Sequence, residues 1–530
     1  MTKLSTVGKL RMKISPYLPA LSLGALFFCG LFNFRRFGIS WEAPGLRLNG
    51  GNAAIYIADK FGLNVIPDYY RQFPAMGENG MADHGVAYDL VLVVLERLLG
   101  ITDSMFVYQL RTGLNFTVFI LGSIAIYQLA KRRLSSTSAG LLAGTFFVLS
   151  PRIFAAGFFS PSDMVFASFF AIGVNASIKF LDSKRIRTSI FAGLICGYAT
   201  DIRLLGIISM PIIVAGYLAL NWRDIRNQLK PLFSYLSSFC ISIYVFFPYL
   251  WDSPFSRFIE VFQSLSKYNW GGSNLYFGNL VPANDLPWHY IPVWIAITTP
   301  IFYLILFVIG MFFIFRLAIK EKSITFIRIQ DYIFTSLVIV PILMVIFLNS
   351  VLYDSWRHLY FIYPFLIVIC TIGWANFFPK VSKRNRLYSA KIIATFLCLL
   401  QIGSWMIMNN PRQYLYFNSL AGKSNLQEKW EMDFLGLSNK DVIQSILRDE
   451  EKEFITVGIG SFTPFDMSLR VVPSELRSRI QIVGLDEGPD LIINNFRGTT
   501  ENLKRQLENY RLEKEFTVDD SVYFQVWRRR

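Results

Sequence analysis

The residues best placed to do chemistry stand where apolar stretches of this chain end. Glu42 follows Trp41 just after the first apolar run and precedes a Pro-Gly turn. A carboxylate beside an indole at a bilayer surface can meet a lipid headgroup and still see water, and it can deprotonate a hydroxyl. The competing reading is a solvated glutamate paired with Arg35, Arg36 or Arg47. Asp83-His84 closes the polar middle of the same stretch. It contacts an acceptor or phosphate, or helps to orient Glu42, or else Asp83 caps the helix that follows. Asp163, after Ser160-Pro161-Ser162, is a second site acid or a helix cap.

Cations accompany these acids. Asp201 and Arg203 interrupt the apolar GYATDIRLLGIIS. A charge at mid-bilayer costs roughly 2.5–3.5 kcal/mol on insertion scales, so the chain is expected to break there, at the outer surface. Arg203 then either pairs with Asp201 or meets a lipid phosphate. Arg357 and His358 sit beside Trp356 and Tyr360 at the outer end of a span. Arginine can clamp a phosphate bidentately and histidine can add a hydrogen bond, whereas a snorkelling arginine is the plain alternative. Lys267 and His289 place a further cation and donor on that side, and all three histidines (His84, His289, His358) fall in or beside external segments.

The elements that must hold these groups are membrane spans. The chain has 530 residues, 53% hydrophobic and 17% charged, with mean hydropathy +0.40. Soluble domains carry roughly 25% charged residues, so a polytopic membrane protein is expected. The formal charge of +15 lies in short runs between apolar segments, as topology signals do, which argues against nucleic-acid binding. With about 20 apolar residues per span, about eleven spans are expected. They fall near 16–34, 104–130, 138–157, 163–181, 187–203, 205–221, 231–251, 290–316, 332–350, 356–377 and 388–408. Lys131-Arg132-Arg133 and four later basic runs fall on the side of the N-terminus, which the positive-inside rule makes cytoplasmic. The basic N-terminus then reads as an uncleaved signal anchor.

Residues 1–408 are thus a membrane domain with an external loop over 35–103, whose polar and aromatic body runs from Arg35 to Gly100. Loops that long in a compact protein are usually functional. Three shorter segments, Ser150–Asp163, Trp251–Trp288 and Tyr353–His358, face the same side. From 409 to 530 the composition turns soluble, and EFITVGIG, IQIVGL, DLIINNF and VYFQVWR predict strands of a small external α/β domain. Asn439–Arg448 and Thr500–Tyr510 predict helices. Gly458-Ile459-Gly460 lacks a third glycine and reads as a strand-end turn. The five cysteines all lie in apolar stretches. No HExxH, paired CxxC or DxD stands at a suitable place, so a dedicated metal site is not expected.

Taken together, Trp41-Glu42-Ala-Pro-Gly, Asp83-His84-Gly-Val, Ser150-Pro-Arg to Ser-Pro-Ser-Asp163, PYLW at 248–251, LPWHYIPVWIAITTP at 286–300 and YDSWRHLYFIYP at 353–364 resemble the GT-C glycosyltransferases. The likeness, over residues 1 to about 435, is to the branch of dolichyl-phosphate-mannose protein mannosyltransferases and the lipid A aminoarabinose transferase. The resemblance implies a GT-C fold and inverting transfer of a sugar from a polyprenyl-phosphate donor to an extracytoplasmic acceptor hydroxyl, without a required cofactor. It makes Glu42 the catalytic first-loop acid and Asp163 the second external acid, with Asp83 and His84 near the acceptor. Arg203, Arg357 and His358, joined by Lys267 and His289, would face the donor phosphate. Two departures are visible: Trp41-Glu42 stands for an Asp-Glu pair, and His84-Gly85 for His-Pro, which loosens the loop. A bacterial inner membrane is the expected location. A flippase of lipid-linked glycans would need related halves and mid-span charges, of which little is visible, and a non-catalytic assembly subunit would tolerate loss of the external acids.

Overall fold

The computed structural model describes residues 18–63, 85–266, 270–320, 323–377, 386–499 and 501–530. Asp83, His84 and Lys267 lie outside them. The helices in order are α1 (Leu18–Asn33), α2 (Ala43–Lys60), α3 (Ala87–Leu98), α4 (Ser104–Leu134), α5 (Thr137–Val148), α6 (Pro151–Phe159), α7 (Asp163–Ser183), α8 (Ile186–Ile202), α9 (Ser209–Asn221), α10 (Leu229–Phe246), α11 (Pro254–Ser266), α12 (Tyr290–Thr298), α13 (Ile301–Lys320), α14 (Phe326–Phe347), α15 (Tyr363–Asn376), α16 (Arg386–Met408) and α17 (Asn439–Asp449). A hairpin, β1 (Ser273–Tyr276) and β2 (Asn279–Pro282), lies between α11 and α12.

The chain is an integral, multi-pass membrane protein. Eight of its described helices are long and apolar enough to cross a bilayer, nine with α5 and α6 counted as one bent span. That is fewer than the eleven expected: α8, with 17 residues, and the described part of α1 are too short to count. Ser150-Pro151 bends α5 against α6 by 70°, and Pro300 divides the expected 290–316 span into α12 and α13; a proline supplies no amide and clashes with the preceding turn. α4, α7 and α15 form the centre. The span through α15 has 83% of its apolar window buried, whereas that of α16 has 17% and faces outward.

After Met408 the chain forms a small α/β unit around one sheet. Its five strands, β3 (Ile455–Ile459), β4 (Ile480–Val483), β5 (Leu491–Asn494), β6 (Tyr510–Val518) and β7 (Ser521–Arg529), run in the order β4-β3-β5-β7-β6. β3 is parallel to β4 and β5, and β7 is antiparallel to β5 and β6. β6 has no counterpart among the predicted strands: the predicted helix 500–510 stops at Gln506 and gives way to it after one 3-10 turn. Gly458 and Gly460 stand at the end of β3, as a strand-end turn requires. The unit sits against the membrane domain. The Lys440 ammonium donates to the carbonyls of Arg35 and Phe37, the latter at 3.1 Å.

Candidate active site

Glu42 is positioned from both domains. Gly38 runs so close to the soluble unit that an added Cβ would lie 2.5 Å from the Leu437 carbonyl oxygen, and the Trp41 amide donates to Leu435 O at 3.3 Å. Glu42 then takes the N-cap position of α2, with no side-chain capping bond. Its carboxylate turns away from the helix. Oε1 lies 2.5 Å from Arg357 Nη2, and Oε2 accepts from Ser162 Oγ at 3.4 Å. The expected pairing with Arg35, Arg36 or Arg47 does not form; Arg47 binds Glu96 instead at 2.9 Å.

Arg357 is the hub. It opens a 3-10 turn leading into α15 and is 1% exposed. Besides Glu42, it reaches Asp163 at 3.1 Å through Nη1 and Asp354 at 3.1 Å through Nε. Its guanidinium carbon also lies 5.1 Å from the Tyr353 ring centre. The turn before it is unusual: Asp354 and Ser355 have φ of 59° and 63°, a conformation that costs a non-glycine residue about 1 kcal/mol or more. Neighbouring contacts must therefore hold it. Asp163 is the first residue of α7, as expected, but it serves ion pairs: Oδ1 lies 2.6 Å from Arg203 Nη2, and Oδ2 accepts from Ser160 at 3.2 Å as well as from Arg357.

The chain does break at Arg203, which has extended dihedrals after α8. However, Asp201 is not its partner. Asp201 accepts from the Ala87 amide at 2.8 Å, at the first turn of α3. Gly85 packs on the Asp201 carbonyl, where an added Cβ would come within 1.2 Å of the oxygen. The glycine at 85 therefore allows the backbone entering α3 to pack directly on the end of α8. His289 is also drawn elsewhere: its Nδ1 meets the Tyr276 hydroxyl at 2.6 Å, tying α12 to the hairpin. His358 stays beside the cluster, its ring 4.7 Å from that of Tyr353 and its buried Nδ1 without a protein partner.

Three further residues complete the site. Asp354 stood within a quoted turn without being singled out. Arg497 follows β5 in the soluble unit and gave no signal in sequence, yet its Nη2 lies 2.5 Å from Asp354 Oδ1. Arg152, in the first turn of α6, is 2% exposed and lines a narrow cleft with Ser160, Asp163, Arg357, Tyr360 and Asp433. Its Nε donates to Tyr416 O at 2.8 Å, its guanidinium stacks 4.3 Å from the Phe417 ring, and both Nη groups lack a partner among the described residues. In the soluble unit nearby, burial pushes the Glu431 carboxyl up to about 7, opposed by Arg497 4.0 Å away. Among the described residues no group of three His, Cys, Asp or Glu is arranged to hold a metal ion; the three acids converge on a guanidinium instead. Beside them the open Nη groups of Arg152 can meet an anion, and a carboxylate of the cluster can take a proton.

Comparison with known proteins follows this geometry. The structure is similar to that of ArnT from Cupriavidus metallidurans bound to undecaprenyl phosphate, at 11% identity and TM-score 0.49, covering 97% of this chain and 98% of that one. It is also similar to an oligosaccharyltransferase of Archaeoglobus fulgidus tethered with an acceptor peptide, at 12% identity and TM-score 0.48, covering 89% of this chain and 64% of that one. No curated protein matches the chain by sequence. Residues 113–251 match the family model described as dolichyl-phosphate-mannose-protein mannosyltransferase, and this stretch, which brings Arg152, Asp163 and Arg203 to the site, is where the chain is similar to that family.

Proposed function

We propose that the chain is a membrane glycosyltransferase. It moves a sugar from a polyprenyl-phosphate carrier to a hydroxyl on the outer side of the membrane, with inversion and with Glu42 as general base. The observation that carries this reading is the buried Arg357 holding Glu42, Asp163 and Asp354 at the ends of apolar spans. The match over 113–251 to a dolichyl-phosphate-mannose-dependent family supports it. The basic runs between spans put the N-terminus in the cytoplasm and the C-terminal unit outside, and a bacterial inner membrane suits that orientation.

In the resting cluster the Arg357 guanidinium is filled by carboxylates. A donor phosphate entering beside it competes for the planar N–H fork, which suits phosphate geometry. Glu42 is then released to accept the proton of an acceptor hydroxyl. The acceptor oxygen attacks the anomeric carbon, and the bond from that carbon to the phosphate oxygen breaks on the opposite face, so configuration inverts. The phosphate leaves with both electrons, and Arg357 and Arg203 face the charge that develops, with His358 beside them. Asp163 holds the two arginines at their working separation. A phosphate is already a good leaving group, so fixed positive charge is the main aid needed.

The test is Glu42→Gln in purified protein supplied with polyprenyl-phosphate sugars. Transfer should fall by about 10²–10⁴-fold, the range of general acid–base catalysis, with unchanged chromatographic profile and melting temperature. Full transfer by this variant contradicts the mechanism.

A further inference from the structure

Arg497 belongs to the soluble unit, 143 residues from its partner Asp354, yet it reaches the charge cluster of the membrane domain. Asp354 divides its two oxygens between two arginines: Oδ2 accepts from Arg357 Nε at 3.1 Å, and Oδ1 faces Arg497 Nη2 at 2.5 Å. Asp354 is fully buried and left-handed in its backbone, so these bonds help hold a conformation that the turn would not keep alone. Arg497 also donates to the Phe434 carbonyl. The segment from Phe434 to Leu437 is the one that packs on Gly38 and accepts from the Trp41 amide. Arg497 is thus tied to both supports of the Glu42–Arg357 pair.

Charge points the same way. Among the described residues of the membrane domain, Arg203 and Arg357 are the cations paired with Glu42, Asp163 and Asp354. Arg497 brings the third guanidinium. Without it a buried carboxylate would draw Arg357 toward itself and away from Glu42, since an uncompensated buried charge is costly. Docking of the unit does not depend on this bridge alone. Lys440 holds the carbonyls of Arg35 and Phe37, and the Trp430 ring packs 5.6 Å from that of Tyr276.

We propose that Arg497 is a positioning residue: it fixes Asp354 and, through Asp354, the orientation of the Arg357 guanidinium toward Glu42, which makes the C-terminal unit part of the active site. This inference rests on the glycosyltransferase reading. Its test compares wild type, Arg497→Ala, Arg497→Lys and Asp354→Asn in lipid nanodiscs. Turnover is measured with a panel of undecaprenyl-phosphate-linked hexoses and pentoses, water serving as acceptor, and hydrogen exchange is followed over residues 353–358. Arg497→Ala should lower kcat by about 10²-fold, as a small misplacement of a reacting group does. KM should hardly move, exchange over 353–358 should quicken, melting temperature should fall because Asp354 is left buried without its partner, and Arg497→Lys, which keeps the charge, should recover part of kcat and of the melting temperature.

Unchanged kcat with unchanged exchange overturns the proposal, as does a loss of kcat no larger than the loss of folded protein or matched by an equal change in KM. If Arg497→Ala fails to fold, Arg497→Lys and Asp354→Asn decide. Their combined effect should be no larger than the greater single one, because both act through one link; multiplying effects would overturn it. If wild type turns over no donor, the glycosyltransferase reading fails, and the exchange measurement still decides whether Arg497 holds the turn.

Discussion

Two buried networks of carboxylates and guanidiniums lie among the described residues of the first half of the chain and its partners, and they differ in where their members come from. In one, Arg111 of α4 binds Asp89 at 2.9 Å and Glu96 at 2.5 Å on α3, and Arg47 of α2 closes on Glu96. Its members span residues 47 to 111 and join helices that are neighbours in sequence. In the other, Arg357 gathers Glu42, Asp163 and Asp354, with Arg203 and Arg497 around them. Those members span residues 42 to 497, include the left-handed Asp354, which is followed by left-handed Ser355, and border the Arg152 cleft. Burying ions is rarely a cheap route to stability. A network that fastens adjacent helices is a clamp; one that assembles distant segments, at the cost of backbone strain and beside a cleft, is a site.

The comparison breaks most sharply at its two hubs. Arg357→Lys keeps a charge and loses the planar fork, so turnover should fall by about 10²–10³-fold with only a small change in melting temperature; steady-state kinetics beside a thermal scan checks this. Arg111→Met should do the reverse. It leaves Asp89 and Glu96 short of a partner, a cost of about 3–5 kcal/mol, and should appear as a lower melting temperature in detergent. The folded fraction of that variant should turn over at close to the wild-type rate. Equal behaviour of the two variants would erase the distinction.

How much of this was legible in sequence follows from the same contrast. Glu42, Asp163, Arg203 and Arg357 could be singled out because each is a charge at the end of an apolar stretch, where burial or function must explain it. Their convergence could not be read, and the alternatives offered for Glu42 and Arg203, nearby partners in each case, were the wrong ones. Local pairing is the easiest guess for a charge, and folding here preferred distant partners. Arg497 carried no signal at all, since an arginine after a strand in a soluble unit is ordinary until the fold docks it on Asp354. The spans were legible from hydropathy, but the breaks at Ser150-Pro151 and Pro300 divided runs that composition alone treats as continuous. β6 was missed because its charged run, Glu513-Lys514-Glu515, breaks the apolar alternation that marks a strand.

The smallest expected effect sharpens the border between the domains. Glu431 is raised from its ordinary 4.5 to about 7 by burial. The folded state therefore binds its proton more tightly than the unfolded state, so its contribution to stability is present below pH 4.5 and is lost as pH rises to about 7. Glu431→Gln should flatten the melting temperature across that window and raise it slightly at pH 8, as a pH series of thermal scans would show.

The central claim is that the Arg357 cluster receives a phosphate carried on a polyprenyl chain. Native mass spectrometry of wild-type protein released from its own membranes tests it most directly. A bound species with the mass of a polyprenyl phosphate or its sugar conjugate, depleted in Arg357→Lys, is the predicted result; bulk phospholipids alone, retained equally by both proteins, would contradict it.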